Sequence, residues 1–222
     1  MNLPFFEKIA IEGPLLSKRH ADCLHKLHVK ERVSNTVAVA KLVRTLQTPD
    51  EFCESDINPN HILKAVRGSG FVFDLAKPKS VNLIKRILER YRKNLIEKGV
   101  PCEFIIEEKI NDAVFGITGE AVDYKFFCFH GEPKYFLVRF KGNRNFYWLD
   151  WTPMKPIETE LPRIDLTEML RVAKILSAPF DFVRIDLYNA VDGVYFGEYT
   201  FHVREGKQEF PLELEYELGK FW

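Results

Sequence analysis

Over residues 80–98 the apolar side chains Ile84, Ile87, Leu88, Tyr91 and Leu95 recur at helical spacing, which predicts an amphipathic helix with one buried stripe. Gly99 follows where a helix-ending residue belongs. Asp165 and Glu168 form an Asp-x-x-Glu start for a second helix through Met169, Ala173 and Leu176. Ala21, Leu24 and Leu27 predict a third over 18–33. Elsewhere the pattern favours strands, over 36–45, 62–66, 71–75, 103–108, 122–129, 134–141 and 146–151. Two more, 182–188 and 194–202, flank an Asp192-Gly193 turn and form a β-hairpin. The tail, 210–222, has a mixed pattern. Hairpins interrupted by helices disfavour a doubly wound parallel sheet. They predict an α+β chain of two lobes, approximately 1–108 and 109–222.

Composition narrows the function classes. With 46% apolar and 29% charged residues in a chain of 222, the protein is neither disordered nor fibrous. Lys and Arg number 32, as do Asp and Glu, so no cationic footprint is present and no nucleic-acid partner is expected. No apolar run approaches the roughly 20 residues of a bilayer span, and residues 1–6 are followed directly by charge. A cytoplasmic location without a membrane span is therefore expected. Cys23, Cys53, Cys102 and Cys128 form no C-x-x-C pair and read as buried thiols. His20, His25 and His28 read as a polar helix face rather than a metal site.

Three features carry candidate chemistry. Lys64 lies on a strand that runs into Arg67-Gly68-Ser69-Gly70. A glycine turn lets backbone N–H groups approach an anion that Lys64 can neutralise, although an ordinary hairpin has the same residues. Arg184, Asp186 and Tyr188 fall on one face of a strand, and Glu198, Thr200 and His202 on one face of its partner. Two carboxylates on facing strands repel unless a cation or proton lies between them, which suits Mg²⁺. A solvated strand face with Arg184 as counter-ion fits the same residues, and both readings stay open. Glu107-Glu108 closes an apolar strand, placed either to meet a polar ligand or simply to end in water.

Taken in order, these features resemble the ATP-grasp arrangement. The run from Asp123 to Gly131, Asp-Tyr-Lys-Phe-Phe-Cys-Phe-His-Gly, is similar to a block of the TupA-like ATP-grasp family. So are Arg144-Asn145-Phe146-Tyr147-Trp148-Leu149-Asp150-Trp151 and the paired segments 182–188 and 195–201. The resemblance implies an ATP-grasp fold, with ATP and Mg²⁺ held between two α+β lobes and no separate N-terminal domain. It implies a carboxylate–amine ligase working through an acyl phosphate, with small-molecule or glycan substrates, in surface-polysaccharide synthesis. By position, Lys64 would contact phosphates under a loop of Gly68, Ser69 and Gly70. Glu107, Glu108, Lys109 and Ile110 would form the adenine hinge, with the backbone of Lys109 and Ile110 reading the base. Asp123 would reach the ribose. Lys125, Arg144 and Arg184 would be the catalytic cations, and Asp186, Glu198 and Thr200 the metal ligands. Thr200 stands where the family more often has an amide, and Cys23 where it often has a second ATP lysine, a role that either passes to Lys26 or is vacant. Acceptor binding would fall to the lobes, to a neighbouring subunit of a homo-oligomer or to a partner. A glycan kinase, a glycosyltransferase-type enzyme and a non-catalytic nucleotide-binding module are the alternatives.

Overall fold

A computed structural model describes residues 3–68, 71–76, 80–117, 121–157 and 159–222. The larger of two sheets has the order β1 (Ala38–Val39), β10 (Gly193–Thr200), β9 (Phe182–Ala190), β6 (Asp123–Phe129), β7 (Glu132–Phe140) and β8 (Asn143–Trp148). Only the β1–β10 pair is parallel. The smaller sheet has the antiparallel order β2 (Leu42–Leu46), β5 (Phe104–Glu108), β3 (His61–Ala65) and β4 (Val72–Asp74). Among the described residues there are five α-helices: α1 (Phe5–Arg19), α2 (Lys26–Val33), α3 (Val81–Glu97), α4 (Thr167–Ser177) and α5 (Leu212–Gly219).

Each sheet has its own core. Helix α3 starts at Ser80, whose side chain accepts the Leu83 N–H, and ends before Gly99 at φ +71°. Its stripe residues Ile84, Leu88 and Leu95 bury against Leu63, Phe104 and Ile106 of the smaller sheet. The larger sheet is covered on both faces. Tyr124, Phe126 and Cys128 lie beneath α4, while Phe127 on the opposite face meets Phe5 of α1.

Several elements differ from the sequence pattern. The helix expected over 18–33 is broken, because His25 is extended and accepts the His28 N–H as the cap of α2. Helix α1 was not predicted, although Phe5, Ile9 and Leu16 bury at helical spacing despite Pro14. The strand expected over 36–45 is two strands in two different sheets, because the chain crosses between lobes at residues 40–41. Consequently Phe5, Ile9, Leu16, Val29, Val33 and Val37 pack in the larger core, not with the first lobe drawn at 1–108. The tail contains α5. Cys53 is exposed, contrary to the buried-thiol reading, whereas Cys23, Cys102 and Cys128 are buried.

Candidate active site

The polar face of the larger sheet is organised by register. Lys125 pairs with Asp186 across β6 and β9, Asp123 with Tyr188, and Asp186 with Glu198 across β9 and β10. The last pairing depends on a bulge at Gly197, which inserts one residue so that Glu198 rather than Gly197 stands opposite Asp186. Glycine is required there, because a Cβ would meet the Tyr188 ring at 2.9 Å and the Asp186 carbonyl at 3.0 Å. Thr200 stands two pairs further on, opposite Arg184.

The paired carboxylates are already matched by cations. The Arg184 guanidinium donates to both oxygens of Asp186, at 2.7 and 2.8 Å, and lies 3.4 Å from Glu198. The Lys125 ammonium contacts Asp186 and sits 3.0 Å from Asp123. Burial opposes ionisation of Asp186, yet Arg184 and Lys125 together hold its carboxyl below the usual range. Burial, reinforced by the Asp123 and Asp186 charges, pushes the Tyr188 phenol well above its ordinary value. Among the described residues, Asp123 Oδ1 is buried without a hydrogen-bond partner.

The smaller lobe contributes a lysine pair. Glu107, fully buried on β5, receives Lys64 of β3 at 3.1 Å and Lys30 of α2. Lys30 belongs to a helix of the larger core, so this triad joins the lobes. Burial pulls Lys30 down to about 8, with Glu107 opposing and Lys64 assisting. Burial resists the ionisation of Glu107, but Lys64 and Lys30 hold its carboxyl below the normal value. One helical turn before Lys30, the Lys26 ammonium donates to the Gly68 carbonyl at 3.0 Å and lies 4.0 Å from Glu198. Lys26, Lys30, Lys64, Lys125 and Arg184 outnumber the carboxylates of Glu107, Asp123, Asp186 and Glu198 by one.

The other expected residues fall as follows. The Glu107 side chain anchors two lysines instead of lining a hinge. Glu108 is exposed and pairs with Lys41 at 2.8 Å. The Lys109 ammonium sits on Asp74 at 2.7 Å and its amide donates to the Asn60 carbonyl at 2.7 Å, so that N–H is already in use. Ile110 is half-buried beside it. Gly68 has φ +82°, and Ser69 and Gly70 lie outside the described residues. Arg144 is apart from the Asp186 group, with its guanidinium on Glu209. Lys30 was missed by sequence reasoning, although its i, i+4 spacing from Lys26 puts both on one helix face.

A family model described as TupA-like ATPgrasp matches residues 25–222. The chain belongs to this ATP-grasp family. Among solved structures, it resembles the D-alanine–D-alanine ligase of Bacillus anthracis complexed with ATP, at 12% identity and a TM-score of 0.50, covering 81% of this chain and 54% of that one. It also resembles the ATP-grasp ligase PsnB complexed with a phosphomimetic variant of its minimal precursor, Mg and ADP, at 11% identity and a TM-score of 0.51, covering 92% and 59%. The chain thus spans less than two thirds of the length of either, and the likeness is one of fold. No curated protein matches by sequence.

The residues of this ATP-grasp chain fit the groups the family implies. The group of cations and the open Asp123 oxygen suit a nucleotide with its phosphates and sugar hydroxyls. Asp186 and Glu198 offer hard oxygen donors in register, of the kind Mg²⁺ takes. Among the described residues, no three His, Cys, Asp or Glu side chains converge as a metal site. No described helix is long and apolar enough to cross a membrane.

Proposed function

We propose that this chain binds Mg-ATP between its lobes and joins a carboxylate to an amine. The observation that carries the reading is the cation excess built where the lobes meet, on Glu107 from one side and on Asp186 and Glu198 from the other. Lys64, Lys30 and Lys26 hold the phosphates, beside Gly68. Asp123 accepts a ribose hydroxyl at its open oxygen, and the backbone around Ile110 reads the base. Asp186 and Glu198, with Thr200 as a neutral donor, hold the magnesium, which supplies charge neutralisation on the phosphates.

Lys125 and Arg184 stand where negative charge grows during phosphoryl transfer. An oxygen of the substrate carboxylate forms a bond to the γ-phosphorus as the bond to ADP breaks. The amine then attacks the acyl carbon, loses a proton, and phosphate leaves. Little covalent help is needed from the protein; placement of positive charge does most of the work. Cover over the site protects the acyl phosphate from water. In this reading the carboxylate is a uronic acid of a surface glycan, the amine an amino acid or amino sugar, and the reaction cytoplasmic.

The saturation of Asp186 and Glu198 by Arg184 and the lysines favours a second reading, a nucleotide-binding module without turnover. Measuring ADP release with Mg-ATP and panels of uronic acids and amines decides between them. Release that needs both acid and amine supports the ligase. Tight ATP binding without release under any pair supports the module.

A further inference from the structure

A second cationic cluster faces the same side of the larger sheet. The Arg144 guanidinium lies 3.0 and 3.3 Å from the two Glu209 oxygens. The Lys155 ammonium is 2.9 Å from the same carboxylate, and Arg204 completes the ring. Among the described residues, neighbouring acids do not balance these three cations. Glu215 is taken up by the amides of Phe6, Glu209 and Phe210, and Glu205 pairs with Lys207. Phe146 supports the ring, with Lys155 at 4.6 Å and Arg144 at 5.4 Å from its centroid.

Behind the cluster lies a cavity of about 20 Å³, bordered by Phe5, Phe127, Tyr135, Phe146 and Phe210. It has room for about one water or the tip of one ligand group. Tyr135 is fully buried there, and its hydroxyl has no hydrogen-bond partner among the described residues. Arg204 borders the cavity in a left-handed conformation, φ +48°, which non-glycine residues seldom adopt, and Glu205 beside it has φ +55°.

The cluster is placed to serve the reaction. Asp123, Arg139 and Arg144 form one row across β6, β7 and β8. Two strand spacings put the Arg144 backbone about 10 Å from that of Asp123.

Resting on the ligase reading above, we propose that Arg144, Lys155 and Arg204 anchor a second anionic group of the acid substrate. The reacting carboxylate lies at Lys125, so the cluster holds a different one, and the substrate is an acid with two carboxylates. In the free protein Glu209 fills the place of that group. On binding, the ligand carboxylate shares or takes over the three cations, and one of its oxygens comes within reach of the Tyr135 hydroxyl.

The test measures acid-stimulated ADP release, in the presence of the amine panel above, with galacturonate, di-galacturonate and the dipeptide Glu-Glu, in wild type and in Lys155→Gln and Arg204→Gln. We expect a di-acid to show a KM about 10-fold below that of the mono-acid, a preference each variant removes while the KM for ATP stays unchanged. Whichever di-acid is preferred identifies the source as a uronide or an acidic peptide. Glu209→Gln is expected to lower the KM for that di-acid. If the variants retain the wild-type preference, or wild type shows none, the inference falls while the ligase reading stands. If no acid stimulates release, the ligase reading fails, and equilibrium dialysis of the same acids then decides the anchoring site. Saturable binding lost in both variants sustains it, and absence of binding overturns it.

Discussion

At the scale of single residues, the candidate site works by charge placed where water cannot screen it. Burial holds Lys30 near 8, close enough to neutrality for pH to change its charge. A bound phosphate favours the charged form, so the pKa of Lys30 rises on binding, and ATP affinity should fall as pH rises above about 8. Titration calorimetry from pH 7 to 9.5 should show this loss, and Lys30→Met should flatten it. For folding alone the sign is opposite. Folding disfavours the charged form, so stability from this group grows as pH rises from about 8 toward the ordinary lysine range. Lys125 is a different case, since it lies on Asp186 at the reacting end. Lys125→Met keeps the aliphatic stem and removes the charge. Turnover should drop about 10²–10³-fold with little change in ATP affinity, read from kcat and from direct nucleotide binding.

At the scale of elements, two backbone devices position these charges. The bulge at Gly197 shifts β10 by one residue and brings Glu198 opposite Asp186. Gly197→Ala has no space for its methyl group beside Tyr188 and the Asp186 carbonyl. It should cost about 1–3 kcal/mol, measured by denaturant unfolding. The Mg²⁺ concentration for half-maximal activity should rise with it, because the same shift moves Glu198. The second device is the turn after β3, tied to α2 by the Lys26–Gly68 hydrogen bond. Mg-ATP should slow amide hydrogen exchange at residues 67–68 and 71–72, since phosphate charge draws the turn onto the site. Equal exchange with and without nucleotide would leave the turn a purely structural hairpin.

At the scale of the molecule, the Lys30–Glu107–Lys64 triad is a buried joint between two cores. Breaking a buried ion group by removing one partner leaves an uncompensated charge. Glu107→Gln should therefore destabilise the protein by about 3–5 kcal/mol. The discriminating measurement is its Tm with and without Mg-ATP. Nucleotide phosphates would restore a counter-charge to the two lysines, so the variant should gain more from ATP than wild type does. A gain no larger than that of wild type would place the phosphates away from the triad.

The sequence by itself determined the α+β class, helix α3 with its terminal glycine, the β9–β10 hairpin, and the polar face carrying Arg184, Asp186 and Glu198. These are local: helical period, alternation and an Asp-Gly turn act over a few residues and leave their mark in order along the chain. Tertiary structure alone decided the rest. Residues 36–45 are uniformly strand-like, yet they divide between two sheets, since pairing partners are chosen by distant segments. Glu107 reads as a strand end facing water until Lys30, 77 positions earlier, is folded against it. Arg144 follows the same logic: its sequence block matches the family, but Glu209, 65 positions later, fixes where its charge lies. Such charge groups are assembled by packing, and their energetics depend on burial that no local pattern encodes.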